Sequence, residues 1–343
     1  MTTPANLTAP GLSVVVPVYN SAATLEELVS RLEQVLYRLG GHFELVLVND
    51  GSTDGSWAAL QALAQSHPSV RAINLRRNYG QHNAVLCGIR ASRYDVVVTM
   101  DDDLQNPPEE IPRLLAKLAE GYDVVYGTPN QPQHGFWRHL ASRVTKWVLQ
   151  GTMGAEVARK VSAFRAFRLP LRDAFASYSA PSVCIDVLLT WGTSRFAAIP
   201  VRHEARSSGV SGYNVRRLIM HALTMMTGFS TLPLQLASIV GFVFTLFGFA
   251  VLVFVLGRYW IQGGSVPGFP FLASIIAIFS GAQLFALGII GEYLARIHSR
   301  MMDRPNYAIR EVAGEERGLD EDPALAGHAA AFLRPGPRGS DDG

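Results

Sequence analysis

"VVTMDDDLQNPPEE", residues 97–110, ends an apolar run on three consecutive aspartates and follows them with a turn and two prolines. A short Val-rich run reads as a buried strand, and like charges set so close repel unless something positive shares the place. The stretch therefore predicts a strand tip that opens on a charged site. The segments on either side decide what kind of sheet that strand belongs to.

Between residues 12 and 126 short apolar runs alternate with segments of helical period. Strands are expected at 12–17, 43–48, 70–75, 94–100 and 123–126, and helices at 22–39, 54–65, 80–91 and 108–119. The strands are continuously apolar and each is followed by a helix. That pattern predicts an α/β domain with a mostly parallel sheet covered on both faces. Ligands bind such sheets at the carboxyl ends of the strands, which selects three places.

The first is "VVVPVYNSAATLEEL", residues 14–28, where strand one ends at Pro17 and Val18 and the chain passes Tyr19 and Asn20 into a helix. The second is "LVLVNDGSTDGSW", residues 45–57. Here Ser52 to Asp54 can cap the next helix, while Asp50 precedes the turn that Gly51 permits and can accept hydrogen bonds from a nucleobase or ribose. The third is the acidic stretch itself. On an extended segment, alternation would put Asp101 and Asp103 on one side and Asp102 on the other. The i, i+2 pair is then the expected ligand pair for Mg²⁺ or Mn²⁺, hard cations that join one or two carboxylates to substrate phosphates.

The rest of the chain differs in character. Of the 343 residues only 17% are charged, and mean hydropathy is +0.16, values that call for a search for membrane segments. Residues 232–257 and 268–291 carry no formal charge, and each is long enough to cross roughly 30 Å of hydrocarbon as a helix. The link between them holds one cation, Arg258. Arg216 and Arg217 precede the pair, and Arg296, Arg300, Arg304 and Arg310 follow it. The positive-inside bias predicts cytoplasmic flanks and an external link.

No basic segment followed by an apolar core opens the chain, so no signal peptide is expected. Cys87 and Cys184 lack metal-ligand spacing and read as ordinary apolar residues in a reduced compartment. From Glu311 onward eight acids stand against three arginines, with Pro and Gly scattered among them, and that tail is expected to be disordered. The expected domains are a flexible start at 1–10, a cytoplasmic α/β domain at 11–205, a juxtamembrane amphipathic segment at 206–231, two transmembrane helices within 232–293, and a cytoplasmic tail at 294–343.

The motifs "VVVPVYN", "VNDGSTDGS", "RRNYGQHNAVLCGI" and "DDDLQNPPEEIP", then "RSSGVSGY" and a terminal pair of apolar segments, follow one another in a specific order. In this the chain closely resembles the family 2 glycosyltransferases of the dolichyl-phosphate mannose synthase and bacterial polyprenyl-phosphate sugar transferase type, over residues 11–310. The resemblance implies a GT-A-type nucleotide-sugar-binding fold, with Pro17, Tyr19 and Asp50 around base and ribose. It places Asp101 near the ribose with Asp102 among the donor contacts, and Asp103 and Gln105 on the metal of the donor pyrophosphate. Arg77 and Asn78 correspond to the residues that close the nucleotide side, although a structural role is open for both.

Toward the acceptor, Arg138 and Ser142 fit the family's lipid-phosphate spacing; an amphipathic helix lying on anionic lipid would use the same arginines. Arg206, with Ser211 and Tyr213, matches the segment facing the reaction, and Arg216 and Arg217 suit lipid headgroups. The implied reaction moves a sugar, with a UDP donor favoured, to polyprenyl phosphate in a cell inner membrane, with inversion; Asp101, Asp103 and Arg206 carry it. A homo-oligomer, a tetramer by resemblance, is also implied. The chain departs from the family in two places: Ser162 stands where members often carry an acid, and Thr128 and Pro129 where many carry a basic residue. Two alternatives stay open, a non-catalytic nucleotide-sugar-binding anchor and a transferase with another acceptor.

Overall fold

The computed structural model describes residues 11–129, 161–180, 183–204, 232–262, 268–302 and 304–314. These fall into two compact units, one holding 11–204 and 305–314, the other 232–302 with residue 304.

In the first unit, strands β1 (Leu12–Val18), β2 (Phe43–Asn49), β3 (Val70–Leu75), β4 (Val96–Thr99), β5 (Val124–Pro129), β6 (Arg165–Arg168), β7 (Phe196–Val201) and β8 (Ile309–Ala313) form one sheet, in the order β7-β5-β6-β4-β1-β2-β3-β8. The four strands from β4 to β3 run parallel, as does the β5/β7 pair. β6 and β8 are antiparallel insertions. The sheet is thus mostly parallel, as the apolar runs required.

Helices α1 (Leu25–Leu39), α2 (Ser56–Ser66), α3 (Gln81–Ala91), α4 (Ile111–Ala119) and α5 (Ile185–Gly192) accompany it. Successive side chains of a strand point to opposite faces. Leu12, Val14, Val16 and Val18 of β1 accordingly join α1, α2 and α4 in one core cluster. Val15, on the other face, meets α3. The approach there is so close that a Cβ on Gly88 would lie 2.3 Å from Val15 Cγ1.

Most expected elements lie within a few residues of their places. Helix one starts at Leu25, and the segment from Pro108 opens with a 3₁₀ turn before α4. The expected disorder from Glu311 is corrected: β8 runs through Ala313 and pairs with β3. Asn306 and Tyr307, just before it, are buried, so apolar contact and ladder hydrogen bonds outweigh the acidic composition there. Residues 315–343 lie outside the described residues.

The second unit holds α6 (Leu232–Gln262) and α7 (Phe269–Met301). Spans of 25 residues, Leu234–Arg258, and 24 residues, Ile278–Met301, are long and apolar enough to cross a membrane. The second apolar stretch continues as helix past Gly291, carrying Glu292, Arg296 and Arg300, and Arg296 pairs with Glu292 one turn earlier at 2.8 Å.

Candidate active site

Four loops leave the carboxyl ends of the central parallel strands, and hydrogen bonds bind them together. Asn20, at φ 54°, takes a left-handed conformation that asparagine tolerates. Its backbone N–H donates to Ser52 Oγ at 3.0 Å, and its Oδ1 accepts from Thr53 N at 2.9 Å. This reciprocal clasp joins the β1 and β2 loops. Asp54 does bond to the start of α2, accepting from Ser56 N at 3.0 Å and Ser56 Oγ at 2.6 Å, and it also accepts from Ala22 N at 3.3 Å.

Asp50 is 3% exposed. Burial pushes its carboxyl up from the ordinary range, against the pull of two backbone donors: Tyr79 N at 2.7 Å and Gly80 N at 2.9 Å. The carboxylate therefore holds the loop between β3 and α3. Gly51 beside it has φ 64°, and a Cβ there would lie 2.5 Å from the backbone of Arg77 and Asn78, so only glycine lets the two loops touch. Arg77 and Asn78 are exposed, with the Arg77 guanidinium 4.8 Å from the centre of the Tyr79 ring. Tyr19 is exposed, while Pro17 is buried inside β1.

The acidic loop departs from the extended geometry expected of it. β4 stops at Thr99, and the chain turns through 101–105 with Leu104 at φ 58°. A buried leucine in that region costs about 1–2 kcal/mol, which the surrounding contacts must offset. Asp102 turns toward the β1 loop, accepting from Tyr19 N at 3.1 Å, while its own carbonyl accepts from Thr24 Oγ1 at 3.0 Å. Burial raises its carboxyl from the ordinary value, with Ser21 and Tyr19 pulling the other way. Its geometry makes it a tie between loops.

Asp101 and Asp103 are partly exposed. Asp101 accepts from Gln81 Nε2 of α3, and Asp103 from Gln105 N at 3.2 Å. Gln105 O in turn accepts from Glu204 N at 2.8 Å, which fixes the loop to the exit of β7. Among the described residues no group of three or more His, Cys, Asp or Glu could hold a metal. Two carboxylates and an amide oxygen fit a hard divalent ion that takes its other ligands from substrate phosphate and water.

The structure thus gathers Pro17, Tyr19, Asp50, Arg77, Asn78, Asp101, Asp102, Asp103 and Gln105 at one sheet edge. Arg138, Ser142, Arg206, Ser211, Tyr213, Arg216 and Arg217 lie outside the described residues. Sequence reading did not anticipate a buried polar network beside the acidic loop. Arg165, opposite Thr99 across β4 and β6, donates from Nε to Thr99 Oγ1 at 3.0 Å and from its terminal nitrogen to Asp186. Tyr126 OH donates to the same Asp186 oxygen at 3.1 Å. The visible signal was an arginine inside the apolar run "SAFRAF".

An acidic turn thus stands at the carboxyl edge of a mostly parallel sheet, where such sheets bind their ligands. The profile of Glycosyl transferase family 2 matches residues 13–172, and the chain belongs to that family. It is a glycosyltransferase. Its relatives include the undecaprenyl-phosphate 4-deoxy-4-formamido-L-arabinose transferase of Pseudomonas aeruginosa (strain LESB58), 40% identical over 88% of this chain and 90% of that protein. The enzyme of the same name from Klebsiella pneumoniae subsp. pneumoniae is 38% identical over 88% and 93%. Among solved structures, glucosyl-3-phosphoglycerate synthase from Mycobacterium tuberculosis superposes with a TM-score of 0.48 at 21% identity, over 64% of this chain and 78% of that one. That likeness is too distant to carry residue roles.

Proposed function

We propose that the protein transfers one sugar from a nucleotide-sugar donor, a UDP-sugar, to polyprenyl phosphate, with inversion at the anomeric carbon. The acceptor in its relatives' name is undecaprenyl phosphate. The observation that carries this reading is the acidic turn: Asp101 and Asp103, with Gln105, share one sheet edge with Asp50 and Tyr19. Mg²⁺ or Mn²⁺ held by Asp103, Gln105 and Asp101 would supply charge to the donor pyrophosphate. Tyr19 offers an exposed ring to the base. Asp50, through lone pairs its two backbone donors leave, accepts from base or ribose.

The chemistry needs no general base. A hydroxyl acceptor must be deprotonated as it attacks, whereas a lipid phosphate is already anionic, with a second pKa of about 6 if phosphorylated side chains are a guide. One phosphate oxygen bonds to the anomeric carbon as that carbon's bond to the diphosphate oxygen breaks, and the electron pair leaves on the nucleoside diphosphate. The protein's part is in-line positioning and stabilisation of the leaving charge. Arg206 is assigned to the acceptor phosphate, with Arg138 and Ser142. The product would serve cell-envelope glycan synthesis or modification, made at the inner membrane by a homo-oligomer whose catalytic part faces the cytoplasm.

Membranes carrying the protein are incubated with a panel of UDP- and GDP-sugars and undecaprenyl phosphate, and the glycolipid is identified by mass spectrometry. Transfer to the phosphate and none to free undecaprenol is expected. Equal reaction of the free alcohol would overturn the mechanism, and no glycolipid from any donor would overturn the function.

A further inference from the structure

Two further carboxylates, Glu109 and Glu110, follow the acidic loop on its 3₁₀ turn, and the donor site makes no use of them. Glu110 is 3% exposed, yet two arginines from different elements share its carboxylate. One is Arg113 of α4. The other is Arg202, just past β7, whose Nε donates to Glu110 Oε1 at 2.7 Å while its side chain stays 66% exposed. Glu109 meets Arg31 of α1 at two points, Nη2 at 2.8 Å and Nε at 3.2 Å, and the same guanidinium lies 3.7 Å from the Glu204 carboxylate.

These contacts close a ring around Gln105. Its carbonyl accepts from Glu204 N at 2.8 Å. Two residues back along the chain Arg202 is tied to Glu110, and Glu110 returns to Gln105 through Pro107 and Pro108, whose fixed φ stiffens that return. The segment so enclosed has no ladder of its own. No residue from 101 to 107 lies in a helix or strand, and Leu104 sits at φ 58°, a conformation that persists only where surrounding contacts hold it. Asp102 ties the upstream part of the loop to Tyr19 and Thr24; the ring ties the downstream part, where Gln105 stands.

Stability is a weak reason for such a ring. Exposed ion pairs add little to it, and Arg202 brings a second cation to a carboxylate that Arg113 already neutralises. Position is the stronger reason, because groups that bind a small hard cation must be held closely by the residues behind them. We propose that Glu110 and Arg202, with Arg31 and Glu204 beside them, are positioning residues: from behind the loop they fix the backbone of Gln105, so that Gln105 and Asp103 face one divalent cation. The inference rests on the donor reading above and adds the residues that set metal affinity without touching the metal.

Mn²⁺ binding to the full chain in detergent, with UDP or GDP present, is read by electron paramagnetic resonance. Arg202→Met should weaken Mn²⁺ on the order of tenfold, as the loss of a residue that orients a metal ligand does. The Mn²⁺ concentration for half-maximal transfer should rise by a similar factor, more than the rate at saturating Mn²⁺ falls. The thermal midpoint should stay within about 4 °C of the wild type, because Arg113 still faces Glu110. Arg202 reaches Glu110 through one nitrogen, so Arg202→Lys should restore most of the affinity. Adding Glu110→Gln to Arg202→Met should weaken Mn²⁺ no further, since the contact is already broken. Arg168→Gln, which removes an arginine 3.8 Å from Asp123 and outside the ring, should bind Mn²⁺ like the wild type.

Wild-type Mn²⁺ affinity in Arg202→Met would overturn the positioning role. So would a loss that Arg202→Lys does not restore, a loss shared by Arg168→Gln, a further loss in the double variant, or a thermal midpoint that falls in step with the affinity. The two readings fail separately: a wild type that binds no Mn²⁺ with either nucleotide, or an Asp103→Asn variant that binds it as tightly as the wild type, sinks the metal site itself. Loss of the ion in Asp103→Asn beside its retention in Arg202→Met sinks only the positioning role.

Discussion

Asp101, Asp102 and Asp103 are adjacent in the chain and have three different partners. Asp102 ties the acidic loop to the backbone of Tyr19, Asp101 meets Gln81, and Asp103 faces its own loop at Gln105. Replacing Asp103 with asparagine keeps its size and removes its charge, so folding should be unaffected while turnover falls on the order of a hundredfold or more. Activity like that of the wild type at saturating Mg²⁺ or Mn²⁺ would remove Asp103 from the site. The Arg165–Asp186 pair predicts a different outcome. Arg165→Met leaves a buried carboxylate uncompensated and should cost about 3–5 kcal/mol, read as a lowered thermal midpoint of the solubilised protein. The sequence made the aspartates legible because three like charges at a strand end demand a counter-charge. It did not reveal their division of labour, which depends on a turn with a left-handed leucine that no residue type at that position announces.

At the scale of elements, the four parallel strands could be read because burial on both faces makes them continuously apolar. β6, β7 and β8 were missed. β6 is short and carries Arg165, β8 carries Glu311, and β7, uncharged over Phe196–Val201, lies beyond the alternating stretch at 12–126; pairing with a neighbour rather than composition alone defines them. Packing between elements gives two further tests. Gly88→Ala would press a methyl against the stiff, buried Val15 between α3 and β1 and should destabilise by about 1–3 kcal/mol, measured by thermal unfolding. Beside α4, the buried Glu110 is held by Arg202 at 2.7 Å and by Arg113, and the exposed Glu109 by Arg31 at 2.8 Å. Burial alone would raise the Glu110 carboxyl, but its arginine partners outweigh this and hold it below the ordinary value; the Arg31 hydrogen bond does the same for Glu109. A lowered folded pKa gives stability that is complete above the unfolded value and lost as pH falls through the folded one. The thermal midpoint should therefore drop on acidification below about pH 4.5, and Glu110→Gln should make that drop smaller. An equal drop in the variant would free this clamp of any part in acid sensitivity.

For the whole molecule, the order of the chain constrains how it could cross a membrane. The first unit supplies β1 to β7, the helices α6 and α7 follow, and the chain then returns as β8 to pair with β3 of the same sheet. Strands of one sheet must share one side of a bilayer, so any crossing by the segment between β7 and β8 must occur an even number of times, and two spans would satisfy this. Arginine counts then predict the direction: four flank the helix pair at 216, 217, 304 and 310 and two more, 296 and 300, lie near the end of α7, against Arg258 alone near the link. A Lys or Arg near a span end favours the cytoplasmic side, and the nucleotide-sugar donor proposed above is cytoplasmic, so the sheet is expected on that side. A cysteine placed at Ser265 should react with an impermeant maleimide added to intact cells, and one placed at Thr2 should react only after the membrane is opened; the buried native cysteines keep the background low. Labelling of Thr2→Cys from outside would separate the acidic turn from its donor. Protection at both positions would mean that the pair enters the bilayer without crossing it, and the arginines would then have to be read as headgroup contacts on one face.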